Sequence, residues 1–203
     1  MFRICMFTIL GYLSGSVLYA RLWGHVLCQK DIADYSADKN PGTANAFLYG
    51  NFVCGLLTLL CDLLKGFLPV RLFFGETLLQ EARQAFVLAA PVIGHTFSLF
   101  HGFHGGKGIA VTFGCLIGLY PEYRPLGLLV FFFLFFSSIL RITPHFYRTA
   151  AAYLGTLAAM AVCFGVKSAP FIGFFLITAA VCFRLHESEE PREKAEVRLL
   201  WMR

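Results

Sequence analysis

The chain has 203 residues, 58% of them hydrophobic, 16% aromatic and only 14% charged. A soluble domain carries about 45–50% apolar and about 25% charged residues, so a water-soluble fold of this length could not hide this much apolar surface. The formal charge of +5 does not indicate nucleic acid, because the basic residues fall in short connections between apolar runs and not along one face.

Apolar runs long enough to approach a bilayer crossing, about 20 residues, occur near 4–22, 46–66, 86–102, 124–141, 148–166 and 169–185. A shorter run near 108–121 lies between Lys107 and Pro121, and counting it gives about seven spans. The first run follows Arg3 but is not succeeded by a small-residue cleavage site, so it reads as a retained span. The stretch 67–82 carries Arg71 and reads as an interfacial helix. With the C-terminus inside, most of the 17 basic residues face the cytoplasm. The tail from His186 to Arg203 mixes charge signs and reads as a solvated helix with Glu/Arg pairs. The expected architecture is all-α: one polytopic transmembrane helical bundle over 1–203, with its active-site loops on the cytoplasmic side.

The seven cysteines form no C-x-x-C pair and mostly sit in apolar runs, as packed free thiols do. No metal site is expected.

In a bilayer the informative residues are those that hydrophobicity cannot explain, and they gather in four places. Lys39-Asn40-Pro41-Gly42-Thr43-Ala44-Asn45 is a turn rich in donors and acceptors, with Asn45 placed to cap a helix. Taken alone, a capped loop explains this cluster as well as a site does. Asp62 and Lys65 are three apart on one helix face, either a local ion pair or a carboxylate directed into the bundle. The stretch from Gly94 to Gly108 carries His95, Ser98, His101, His104 and Gly105-Gly106-Lys107-Gly108. Its glycines allow backbone N–H groups to converge, Lys107 adds a positive charge, and a helix starting near Gly108 adds its dipole, which together suit a phosphate. The spacing is not that of a Walker A loop. His101 and His104 read as loop histidines. Arg141-Ile142-Thr143-Pro144-His145 ends the aromatic-rich run, as a basic flank and helix stop do.

The first, third and fourth clusters share one side in this topology, as does His186. An anion cradle beside apolar helices suits an amphiphilic substrate, its phosphate in the cradle and its acyl tail between helices. A small transporter is the competing class, but it predicts buried charges at mid-bilayer and broken helices in symmetric pairs. A non-catalytic scaffold is the third.

These motifs resemble those of the bacterial acyl-phosphate:glycerol-3-phosphate acyltransferases. The resemblance runs from about Gly11 to His186. It rests on Gly11-Tyr12-Leu13 with Gly15-Ser16, on Asn40-Pro41-Gly42 with Asn45, on Asp62…Lys65-Gly66, and on Gly94-His95 through Gly105-Gly106-Lys107-Gly108, Ala110 and Gly114. Arg141 and His186 resemble the arginine and histidine of the family's later motifs. The resemblance implies transfer of an acyl group from acyl phosphate to the 1-hydroxyl of glycerol 3-phosphate, without a cofactor, in a bacterial cytoplasmic membrane. It implies catalytic roles for His95, Lys107 and His186. It implies substrate contacts from Ser16, Asn40, Gly42, Asn45, Gly105, Gly106, Lys107, Gly108 and Arg141. The chain departs from the pattern in five respects. Asp38-Lys39 replaces a Ser-Gly pair, Leu48 replaces an arginine, Val111 replaces a threonine with Thr112 next to it, Thr143-Pro144-His145 replaces a serine-rich stretch, and Glu189 replaces an asparagine. An altered acceptor is therefore expected as an alternative, with Lys39 compensating for a lost positive charge.

Overall fold

The computed structural model describes residues 1–75, 81–188 and 194–199. The Glu189 departure lies outside them. The chain is mostly helical. Three helical stretches among the described residues are long and apolar enough to cross a membrane: Phe2–Cys28, Phe52–Phe74 and Ala169–Glu187.

The first stretch is two helices, α1 (Phe2–Ser16) and α2 (Tyr19–Cys28), separated where Val17 and Leu18 adopt extended backbone. A break in a helix frees carbonyls, and in an apolar setting these must find donors. They do: the Ser98 hydroxyl donates to the Ser16 carbonyl at 2.6 Å, and the Lys65 ammonium to the Val17 carbonyl at 2.6 Å. After the short α3 (Ile32–Tyr35), the Asn-Pro-Gly turn leads into α4 (Thr43–Asn45) and one π-helical segment, Ala46–Gly50.

The second long helix, α5 (Phe52–Phe74), begins six residues later than the apolar run suggested. Its cap is Asn51, whose side chain accepts from the Cys54 N–H at 2.8 Å. Asn45 does not cap α5. The expected interfacial helix over 67–82 is also overturned in its described part, since α5 continues to Phe74. Arg71 is accommodated because its guanidinium reaches back to the Tyr120 carbonyl at 2.7 Å and lies over the Tyr120 ring. Residues 76–80 of that stretch lie outside the described set.

The next two helices are short. α6 (Ala85–Thr96) has 12 residues and α7 (Ile109–Gly118) has 10, so at about 1.5 Å per residue neither alone traverses a hydrocarbon core of about 30 Å. The run 86–102 thus splits into α6 and a loop. α8 (Arg124–Leu134) continues into a π-helical segment, Phe135–Ile139, then strand β1 (Leu140–Thr143). α9 (His145–Phe164) and α10 (Ala169–Glu187) complete the bundle.

The tail departs from its expected helix. Glu196–Leu199 forms β2, antiparallel to β1, with Arg141 opposite Arg198. The Leu-Arg-Ile-Thr segment offers an unpaired strand edge, and the tail's Val197 and Leu199 suit an extended partner. One expected Glu/Arg pair survives within the strand, Arg198 to Glu196 at 2.8 Å.

Two helix crossings hold the centre. α1 lies against α6, and a Cβ at Gly15 or Gly94 would run into the Pro91 or Tyr12 carbonyl of the facing helix. α5 lies against α7, where a Cβ at Gly66 or Gly114 would meet the Val111 or Leu63 carbonyl. Without side chains at these points the backbones approach closely, the usual means of packing helices where water supplies no driving force. Around them runs the larger apolar core, including Val70, Leu88, Leu116, Tyr153, Phe174 and Ile177, and a smaller cluster of Ala20, Ile32, Ala46 and Cys54 packs where α2 meets α5. All seven cysteines are free thiols.

Candidate functional site

Three of the four sequence clusters converge at the ends of α6 and α7. Gly108 has φ +77° and caps α7, a left-handed geometry that favours glycine. The preceding loop folds back onto the end of α6: the Gly106 N–H donates to the His95 carbonyl at 3.1 Å. The Lys107 N–H donates to Asn40 Oδ1 at 3.1 Å, joining this loop to the Asn-Pro-Gly turn. These two N–H groups therefore hold the loop in shape and do not both point at an anion, as the glycine pattern suggested. The glycines serve close approach instead. A Cβ at Gly105 would strike the His95 carbonyl, and one at Gly106 the His95 imidazole.

Beneath the loop lies a buried polar chain. The Lys65 ammonium sits 2.8 Å from Asp62 Oδ1 and 2.8 Å from His95 Nδ1, while Thr43 donates to Asp62 Oδ2 at 3.3 Å. An ammonium offers donors only, so His95 Nδ1 accepts and its proton sits on Nε2, the nitrogen directed at Gly106. Asp62, Lys65 and His95 are each at most 3% exposed. Buried charges persist only when paired, and here the pair is completed by the Val17 carbonyl at the break between α1 and α2. Both readings left open for Asp62 and Lys65 are realised at once: the two form a local ion pair, and the carboxylate is directed into the bundle.

The second polar centre is nearer the surface. Lys107 Nζ pairs with Asp38 Oδ2 at 2.9 Å. Asn45 Nδ2 donates to Asp38 Oδ1 at 2.7 Å and to the Asn40 carbonyl at 2.8 Å. The Asn40 N–H donates to Asp38 Oδ1 at 3.3 Å. Burial alone would raise the Asp38 carboxyl, but the Lys107 hydrogen bond and charge, with the Asn45 and Asn40 donors, hold it below the usual carboxylate range. Lys39, next to it, has φ +46°. That backbone state favours glycine, the residue the resembled motif carries there.

Two cavities share the wall formed by Asp38, Asn40 and Lys107. One, of about 330 Å³, is lined by Arg21, Lys39, His104, Gly105, Gly106 and Arg184 as well. The other, of about 530 Å³, is lined by Gly42, Thr43, Asn45, Asp62, His95 and Gly108 on its polar side and by Leu48, Leu59, Ile109, Ala110 and Phe113 on its apolar side. The first is cationic and the second mostly apolar.

Most expected site residues thus come together: Asn40, Gly42, Asn45, His95, Gly105, Gly106, Lys107 and Gly108. Three do not line these cavities. Ser16 is fully buried beneath them, where its hydroxyl accepts from the Leu99 N–H at 3.3 Å and so anchors the loop after α6. Arg141 lies exposed on β1, held there by pairing with the tail. His186 sits on the exposed side at the end of α10, between the cavity residues Arg184 and Glu187 in sequence. Sequence reasoning missed Arg21 and Arg184, and it read His145 only as part of a basic flank and helix stop. Arg184 donates to the Gly105 carbonyl at 2.7 Å, and His145 lines the larger cavity. A basic residue two positions before His186 was a signal, but one that also fits an ordinary cytoplasmic flank. Among the described residues no group of His, Cys, Asp and Glu could hold a metal ion.

A protein-family model described as glycerol-3-phosphate acyltransferase matches residues 5–193. Curated relatives bearing that name include one from Albidiferax ferrireducens, 39% identical over 117 residues, which are 56% of this chain and 52% of the relative. Another, from Burkholderia cenocepacia, is 35% identical over 146 residues, 68% of this chain and 65% of the relative. The chain thus spans about half to two thirds of the length of the curated relatives it matches. Among solved structures, PlsY, an integral membrane glycerol 3-phosphate acyltransferase, superposes in its glycerol 3-phosphate form with a TM-score of 0.72 at 22% identity, covering 91% of this chain and 88% of that one. Its lysophosphatidic acid form gives 0.70 at 21%, covering 89% and 87%. At that identity the likeness establishes a common fold.

Proposed function

The chain belongs to the glycerol-3-phosphate acyltransferase family, and from that premise we propose that it acylates the 1-hydroxyl of glycerol 3-phosphate from an acyl phosphate. The observation that carries this reading is the shared wall: a cationic cavity and an apolar one meet at Asp38, Asn40 and Lys107. The apolar cavity suits the acyl chain, between Leu48, Leu59, Ile109 and Phe113. The cationic cavity, with Arg21, Lys39 and Arg184, suits the phosphate of the acceptor. The donor's phosphoryl group then lies at the wall, against Lys107 and the first turn of α7, whose N-terminal dipole favours an anion.

In the reaction the acceptor hydroxyl oxygen attacks the acyl carbonyl carbon. The bond from that carbon to the phosphate oxygen breaks, and the hydroxyl proton leaves with the phosphate. The products are lysophosphatidic acid and inorganic phosphate. The mixed anhydride is already activated, so positioning and charge stabilisation supply much of the rate. Lys107 balances the charge growing on the leaving phosphate. His95, held by Lys65 with its proton on Nε2, donates a hydrogen bond at the acyl phosphate. Asn40 and Asn45 orient the wall, Gly42 and Gly105–Gly108 allow it to close around the substrate, and Ser16 supports the loop from below. Arg141 and His186 enter this scheme only if the β1–β2 ribbon and the end of α10 move toward the cavities.

The same reading makes residues 1–203 one membrane domain of about seven passes, with the site loops and the C-terminus on the cytoplasmic side of a bacterial cytoplasmic membrane. Leu48 stands where the resembled motif has an arginine and lines the apolar cavity. That position favours, as a second reading, a paralogue that takes a different alcohol. A single-turnover assay in lipid, with palmitoyl phosphate and glycerol 3-phosphate, separates the two. Lysophosphatidic acid and phosphate in equal yield, reduced by at least about 100-fold in Lys107→Ala, is the expected result. Phosphate release without the lipid would point to the other acceptor, and neither product would overturn the enzyme assignment.

A further inference from the structure

Asp38 stands where the resembled motif has a serine, and it has no role in the chemistry above. Yet it occupies the wall between the cavities, and its carboxylate takes three donors: Lys107 Nζ at 2.9 Å, Asn45 Nδ2 at 2.7 Å and the Asn40 N–H at 3.3 Å. Its side chain is 9% exposed, as is that of Lys107. These are the donors that a phosphoryl oxygen at the wall needs. A carboxylate and a phosphoryl group cannot both sit on one buried ammonium without like-charge repulsion.

We propose that Asp38 is a specificity-determining residue that acts as a built-in competitor, its carboxylate covering the anion seat on Lys107, Asn45 and the Asn40 amide until a phosphoryl group displaces it. The inference rests on the acyl-phosphate reading of the site. Its chemical consequence is selection by charge. A phosphoryl dianion offers more oxygens and more charge than the carboxylate it evicts, whereas a carboxylate or a neutral alcohol does not. The adjoining residue makes displacement mechanically feasible. Lys39 holds a left-handed backbone conformation at φ +46°, a state that residues other than glycine rarely adopt, so the turn carries strain beside the residue that must move.

The test uses the full chain in lipid, with inorganic phosphate as the probe. Isothermal calorimetry measures phosphate binding, and steady-state assays give KM and kcat separately for palmitoyl phosphate and glycerol 3-phosphate. Asp38→Asn keeps the shape and the acceptor for Asn45 but removes the charge, and Asp38→Ser removes the carboxylate altogether. In both, phosphate is expected to bind about tenfold tighter, the size of one charge-assisted hydrogen bond no longer contested. KM is expected to fall for whichever substrate seats its phosphate there, and kcat to change far less. Weaker or unchanged phosphate binding in both variants would overturn the proposal and leave Asp38 as a residue that merely positions Lys107. Failure of both variants to fold would overturn it as well, because a carboxylate that leaves Lys107 at each turnover cannot be indispensable to the fold. The calorimetry stands apart from turnover. Tighter phosphate binding in a protein that forms neither lysophosphatidic acid nor phosphate from palmitoyl phosphate would uphold the competitor and sink the acyltransferase reading.

Discussion

The two flanks of the bundle are assembled by opposite means. At the α1/α6 and α5/α7 crossings, glycines bring backbone against backbone, and polar side chains bridge the gaps left by a broken helix. At α8, rings fill the space: Phe131 stacks on Phe135 at 5.8 Å, Phe132 on Phe136 at 5.9 Å, and Phe133 meets Tyr153 edge-on at 6.0 Å. A glycine crossing has one geometry, since the atoms in contact belong to the main chain. An aromatic face has many, since rings turn and slide at little cost. The site stands on the first kind of contact, because a loop positioned to within a few tenths of an ångström needs a foundation that does not slide.

The sharpest way to break that contrast is Gly94→Ala. The new methyl would press on the Tyr12 carbonyl and the Ser16 N–H, and neither can rotate away. Overpacking of this kind costs about 1–3 kcal/mol, and the rigid partner places this case at the upper end. The expected result is a marked fall in thermal midpoint in lipid. Acyl transfer should fall further than stability, because α6 carries His95 and α1 carries Ser16, whose carbonyl holds Ser98 in the loop just after α6. An unchanged midpoint would mean that the α1/α6 crossing adjusts as freely as the aromatic face.

A smaller effect of opposite sign is expected at Lys39→Gly. Its φ of +46° lies where glycine pays no steric cost. Relieving it should stabilise the protein by about 1 kcal/mol, read as a rise in thermal midpoint, after allowing for the greater freedom that glycine gives the unfolded chain. A fall would mean that the lysine side chain contributes more to the cationic cavity than its backbone strain costs.

The glycine side of the molecule was the legible one. The Gly-Gly-Lys-Gly run, the Asn-Pro-Gly turn and the Asp62/Lys65 pair each read as a constraint in the sequence, and the structure brings all three to one place. What they do there was less legible. The glycines pointed to converging N–H groups, but Gly105 and Gly106 are needed because the His95 main chain and ring leave no room for a Cβ. The break at Val17 left no mark at all. It contains neither proline nor glycine, and its carbonyls are satisfied by Lys65 and Ser98, residues far along the chain. Helix ends were misplaced for a similar reason. Hydrophobicity marks what lies in lipid, not where hydrogen bonding stops, so 46–66 and 86–102 ran together helix, π-turn and loop. The tail's charge alternation suited a helix or a strand equally, and the edge of β1 decided it.

The aromatic flank supplies the weakest perturbation, and the contrast depends on its being weak. Phe131 is 55% exposed within the protein, and its ring touches Phe132 and Phe135 on its own helix. In a bilayer the exposed part meets lipid, for which leucine is as good a neighbour as phenylalanine. Phe131→Leu removes one stacked pair and one edge contact, but its neighbours retain Phe132 on Phe136 and Phe133 on Tyr153. Exposed substitutions of this kind usually stay within about 0.5 kcal/mol, so the midpoint and the acyl transfer rate should both remain near those of the parent. A large loss of acyl transfer with the midpoint preserved would place α8 in contact with the moving parts of the site. β1 follows α8 directly and carries Arg141, so such a result would bring that arginine back into the chemistry through motion of the ribbon.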